Sequence, residues 1–223
     1  MKGALITVVL FFSIHLAFSQ KCSCSKNPEL KNVISCEATQ FENGAKIYWD
    51  YDCNSSWITF QNGKIRKKIF TLEKEFIEFT GRLGYRSWTE YKNSFLVENS
   101  VVSGCCQPGE YILYNKNNGE KIIELGTIIS INHDGNNPYT ITLKTDNKLL
   151  YTDLNNNKSY AIKIPKNKIE STLKNTNVLY PENLFENIEI KNGLLSIHLR
   201  YKESKQSNWK VEVIKLDIKK HSR

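Results

Sequence analysis

Short segments of alternating apolar and polar residues, separated by asparagine and glycine, recur along most of this 223-residue chain, and few folds other than antiparallel β accommodate that rhythm. Tyr139-Thr140-Ile141-Thr142-Leu143-Lys144 places Tyr139, Ile141 and Leu143 on one face of an extended strand. After the turn residues Asp146-Asn147, strands are predicted at 149–153 and 159–164 with Asn155-Asn156-Asn157 between them. Asparagine tolerates the left-handed backbone of tight turns, so these segments read as consecutive hairpins. The same arrangement is predicted at 110–115 and 120–125 around Asn117-Asn118-Gly119, and at 57–61 and 64–72 around Asn62-Gly63. A closing meander is predicted at 188–191, 195–201 and 210–218, with Leu195, Ile197, Leu199 and Tyr201 facing a core and Ser196, His198 and Arg200 facing away. Helical signals are few: 72–79 suits two helical turns or a buried strand, 168–174 suits a short helix, and 180–184 an ordered connector.

The chain begins with Lys2 and an apolar run over residues 4–18, closed by Ala17-Phe18-Ser19, which matches a secretory leader with small residues at the −3 and −1 positions. The run is too short for a spanning helix, which needs about 20 apolar residues. Residues 1–19 are therefore expected to be a signal peptide and 20–223 a single all-β domain, secreted or periplasmic, without a transmembrane anchor after cleavage. The formal charge then falls from +8 to +7 with the loss of Lys2. The basic excess is mostly scattered lysine, with one local cluster at Lys64-Ile65-Arg66-Lys67-Lys68. That distribution lacks the basic stripe with interleaved aromatics expected of a nucleic-acid binder, and fits a solvated surface or a patch that attracts an acidic surface or polysaccharide.

Six cysteines, Cys22, Cys24, Cys36, Cys53, Cys105 and Cys106, follow the leader, and an even number in an exported chain reads as disulfides. Adjacent α-carbons lie about 3.8 Å apart, below the disulfide range of about 4.4–6.8 Å, so Cys105 and Cys106 are expected to take separate partners, at least one in the Cys22 to Cys53 group. A four-thiolate zinc site from the first four cysteines is the rival reading, although their spacing is not that of paired Cys-x-x-Cys knuckles.

The segment Gly104-Cys105-Cys106-Gln107-Pro108-Gly109-Glu110-Tyr111-Ile112-Leu113-Tyr114-Asn115, running on through Asn118-Gly119-Glu120-Lys121-Ile122, resembles the outer strands of blades in bacterial β-propeller-like repeats. Leu150-Tyr151-Thr152-Asp153-Leu154-Asn155 with Lys158 is similar, and the two together span about a third of the chain. The hairpin tips near Gly63, Gly119, Asn156 and Ser204 are spaced by about forty to fifty-five residues, as successive four-stranded sheets would be. The resemblance, which extends to exported bacterial proteins, implies antiparallel meanders and hairpins in a small or incomplete β-propeller, and implies no activity. A β-sandwich or stacked meanders are the alternatives.

No catalytic, metal or cofactor motif is present. His133 lies in a turn, His198 on the polar face of a strand and His221 in the basic tail, none of them in a nucleophile or zinc pattern. Asp153-x-Asn155-x-Asn157 has the alternation of a calcium loop, but Lys158 stands where the turn glycine is required and Ile164 where the bidentate acid is. Glu73, Glu75 and Glu78 are the nearest approach to paired carboxylates. The aromatic candidates for ligand stacking are Trp49, Trp57, Trp88 and Trp209, each of which suits a core position equally well. The leading expectation is thus a non-enzymatic exported binding or interaction protein that recognises a protein or cell-surface carbohydrate through loops or exposed aromatics. Two alternatives stand: a periplasmic or secreted hydrolase using acidic residues, and an inhibitor-like protein that caps an acidic partner.

Overall fold

A computed structural model describes residues 22–100, 110–134, 136–144 and 148–221, so the expected leader and the pair Cys105 and Cys106 lie outside the described residues. A short α1 (Leu30–Val33) precedes β1 (Thr39–Gln40), β2 (Lys46–Tyr51), β3 (Ser55–Asn62) and β4 (Ile65–Glu73), which form a four-stranded antiparallel sheet in chain order. After a 3-10 turn (Lys74–Phe79) come β5 (Gly84–Glu90), β6 (Ser94–Ser100), β7 (Glu110–Asn115), β8 (Lys121–Asn132), β9 (Tyr139–Leu143), β10 (Lys148–Asp153) and β11 (Ser159–Lys163), hydrogen-bonded in sequence into one seven-stranded sheet. Helix α2 (Lys166–Asn175) and a 3-10 turn (Pro181–Leu184) lead to a three-stranded sheet of β12 (Phe185–Lys191), β13 (Leu194–Tyr201) and β14 (Lys210–Asp217), and α3 (Ile218–His221) follows. The protein is all-β and antiparallel, as the alternation predicts.

The long strand β8 divides the middle sheet into two layers. Its first half pairs with β7, through Gly126 opposite Tyr111, and its second half pairs with β9 from Thr127 onward. Gly126 has φ +83°, and a Cβ there would lie 2.9 Å from the Leu143 carbonyl oxygen, so the bend at this handover requires glycine. The two halves then pack face to face: Leu96 of β6 and Leu113 of β7 share a core with Leu125, Leu150 and Leu154. Corners of this kind, where one strand serves two sheets, are a recognised route to orthogonal sheet packing.

The opposite faces of those halves are covered by the flanking sheets. Ile47, Ile58 and Phe60 of the first sheet pack on Phe95, Val97 and Tyr114. Phe95 is fully buried, with its ring 5.5 Å from Phe60, 5.3 Å from Tyr114 and 5.2 Å from Phe41. At the other end, Ile141, Leu149 and Tyr151 pack on Leu195, Ile197, Leu199, Ile214 and Leu216, with Ile169 of α2 completing the layer. Four antiparallel layers therefore stack in chain order. Among the described residues no core cluster joins the first layer to the last.

Asparagines at the hairpin tips tie neighbouring layers together. The Asn43 amide donates to the Lys116 carbonyl at 2.9 Å, the Asn62 amide to the Asn117 carbonyl at 2.9 Å, and the Asn93 amide to the Asn155 carbonyl at 2.9 Å. Lys116 is buried at the same junction, 2.7 Å from the Glu90 carboxylate, which also accepts the Glu42 backbone N–H at 2.9 Å. The Asp153 repeat is a turn closed on itself, its carboxylate accepting from the Asn155 and Asn156 backbone amides at 2.9 and 3.1 Å and from the Asn156 side chain at 2.8 Å.

Two disulfides hold the N-terminal segment: Cys22–Cys36 closes a loop within it and Cys24–Cys53 ties it to the β2–β3 turn of the first sheet, with α-carbons 6.4 and 4.7 Å apart. This corrects the expected bond from Cys105 or Cys106 into the Cys22 to Cys53 group, because all four of those sulfurs are already paired among themselves. The same pairing removes the thiolates that a zinc site would need.

Candidate functional site: a basic, aromatic groove on the first sheet

Strand alternation gives the first sheet two distinct faces. Ile47, Trp49 and Tyr51 of β2, with Ile58 and Phe60 of β3, enter the core, so Asp50, Trp57 and Thr59 take the outer face. On β4, Arg66 and Lys68 take that outer face while Phe70 turns inward, its ring edge-on to Trp49 at 6.2 Å between centroids. Residues 66, 68 and 70 have the same parity and would share a face in a regular strand. A bulge at Ile69 breaks the register between Ile58 opposite Phe70 and Thr59 opposite Lys68, and so separates the two cations from the aromatic.

The result is a groove of about 410 Å³ lined by Trp57, Thr59, Arg66 and Lys68. The Lys68 ammonium lies 3.6 Å from the centre of the Trp57 ring, within cation–π range. Among the described residues Lys68 has no carboxylate partner. Arg66 donates to the Asp50 carboxylate at 3.1 Å, and Asp50, 3% exposed, also accepts the Tyr51 backbone N–H at 3.0 Å. Burial pushes the Asp50 carboxyl above its ordinary value, against the lowering influence of the Tyr51 hydrogen bond and of Arg66 and Lys68. Thr59 is 1% exposed and its hydroxyl has no hydrogen-bond partner. A buried hydroxyl left unpaired costs free energy.

Of the four tryptophans expected as ligand contacts, only Trp57 lines this groove. Trp49 is buried in the first core and Trp88 packs partly buried against it. Trp209 is exposed on the last layer, its ring beneath Arg200 at 4.8 Å. The structure therefore does not bring the four together. The Lys64 to Lys68 cluster also splits: Arg66 and Lys68 face the groove, whereas Lys67 pairs with Glu120 at 3.3 Å.

Glu75 and Glu78 line a second cavity, of about 450 Å³, beside the Cys24–Cys53 disulfide, in company with Lys26 and Lys74. The two acids stand three residues apart on one 3-10 turn, where side chains eclipse, so they project from the same wall and do not face each other across a cleft. Glu73 ends β4 and is not part of that lining. His133 stacks with Tyr91 and shares a 2.7 Å hydrogen bond between Nδ1 and the Tyr91 hydroxyl, and His198 Nδ1 lies 3.3 Å from the Asn187 amide. The chain matches no protein-family model and no curated protein. Among the described residues no helix is long and apolar enough to cross a membrane.

Proposed function

We propose that this chain is an exported, non-enzymatic binding protein whose docking surface is the outer face of its first sheet. The observation that carries this reading is the groove itself: an indole and two cations line one open site together with Thr59. Ligand sites are recognised by such convergence of a few polar groups on an apolar platform. Export is supported by the apolar run over residues 4–18 and by the two disulfides, which persist in oxidising compartments. The mature N-terminus then follows Ser19, and the stacked layers act as a rigid scaffold behind the groove.

The test is a panel of oligosaccharides and peptides offered to the purified, oxidised protein and to the Trp57→Ala/Lys68→Ala double variant. Binding by the wild-type chain that the double variant loses supports the proposal. Turnover of glycosidic or ester members of the panel, or binding that the double variant retains, overturns it.

A further inference from the structure

We propose that the groove takes a carboxylate-bearing saccharide, a uronic acid residue of an acidic glycan. This rests on the reading of the groove as the docking surface and adds the chemical class of its ligand.

The polar groups that line the groove are donors. Arg66 and Lys68 carry positive charge and only donate. The one carboxylate beneath them, Asp50, is taken up by Arg66 and by the Tyr51 amide. A ligand matched to this set brings acceptor oxygens, at least one of them charged, and a cationic ligand meets repulsion from Lys68. Because the Lys68 ammonium rests over the indole, a carboxylate drawn to it lies against the same aromatic surface. The ring carrying that carboxylate is then held against Trp57, an arrangement suited to the apolar face of a pyranose.

Size and shape agree. A space of about 410 Å³ lies toward the small end of ligand sites, enough for one or two sugar residues. The groove opens onto a sheet surface, so a longer chain can run past it in both directions. Nucleic acid is disfavoured because the lining has one aromatic platform and two cations, where single-strand binders present successive stacking surfaces along a basic track. An acidic peptide satisfies the cations but brings no flat apolar ring face to the indole.

The experiment is calorimetric titration of the oxidised protein with a trigalacturonate, its methyl ester, a neutral trigalactoside and a Glu-rich peptide. The account expects the uronate to bind about tenfold or more tightly than its ester, since one charge-assisted hydrogen bond is lost. Lys68→Met should abolish that preference. Rising salt should weaken the uronate in the wild-type chain. Equal binding of acid and ester overturns the inference and leaves the docking face intact. Binding of the peptide in preference to every saccharide does the same. Binding of the uronate that Trp57→Ala and Lys68→Met both leave unchanged overturns the docking face and the inference together.

Discussion

Phe95→Ala should strike the joint between the first and second layers harder than any other single truncation. The ring is fully buried and lies within 5.5 Å, centre to centre, of Phe41, Phe60 and Tyr114. Truncating a buried phenylalanine costs about 3–5 kcal/mol, from lost transfer energy and the cavity left behind. Surrounding rings are too large to refill such a gap, which puts the expectation in the upper half of that range. Set against a typical total stability of about 5–15 kcal/mol, the loss is a large fraction. With a urea dependence of about 2 kcal/mol per molar, the midpoint falls by roughly 2–2.5 M. Equilibrium urea unfolding followed by far-ultraviolet circular dichroism and by tryptophan fluorescence measures it, because Trp49 and Trp88 belong to that core. The control is Phe76→Ala, 47% exposed, which should shift the midpoint little, by about 0.5 kcal/mol or less. A Phe95→Ala loss below about 1 kcal/mol, in the range of ordinary surface changes, would refute the claim that this aromatic cluster joins the layers.

Non-reducing peptide mapping should recover Cys22 linked to Cys36 and Cys24 linked to Cys53. Their sequence separations of 14 and 29 correspond to about 3 and about 4 kcal/mol in the chain-entropy model, so Cys24→Ser/Cys53→Ser should destabilise more than Cys22→Ser/Cys36→Ser. Burial, with the Asp153 carboxylate and neighbouring phenols adding, pushes Tyr151 up to about 12 from 10.0. The folded chain then holds a proton that the unfolded chain has lost across that interval, stability falls as pH rises through it, and Tyr151→Phe should flatten the fall in alkaline unfolding curves. Asp50 is also raised, chiefly by burial, so its folded form retains a proton just above 3.8 and stability declines with rising pH there; Asp50→Asn should remove that slope from acid-range urea midpoints.

Alternation made most of the later strands legible. The prediction for 110–115 coincides with β7, and those for 149–153, 195–201 and 210–218 differ from β10, β13 and β14 by a residue at one end. Strand β8 ran on past the expected stop at 125, because Gly126 marks a bend between two layers and not a turn. The strands β2, β5 and β6 carried weaker signals. In β2 the sequence Lys-Ile-Tyr-Trp-Asp-Tyr is almost wholly buried, so its pattern reads as continuous and hides the two faces.

The groove was half visible. Trp57 and the Lys64 to Lys68 cluster both stood out, yet nothing in one dimension joined them. The bulge at Ile69 decides which lysine faces the indole, and a bulge is a property of two paired strands. Thr59 had no sequence signal, since an unpaired hydroxyl is recognised only once its surroundings are known. The disulfide pairing was similarly closed to spacing arguments. Asparagine, read in the sequence only as a turn residue, also ties the layers together at their junctions.

The docking face can be tested most directly by following the four indole N–H signals in a nitrogen-15 spectrum during titration with the uronate trimer. The account predicts that the signal assigned by Trp57→Phe moves progressively and saturates, while those of Trp49 and Trp209, neither of which lines the groove, stay in place. Movement of the Trp209 signal with Trp57 unmoved would contradict it.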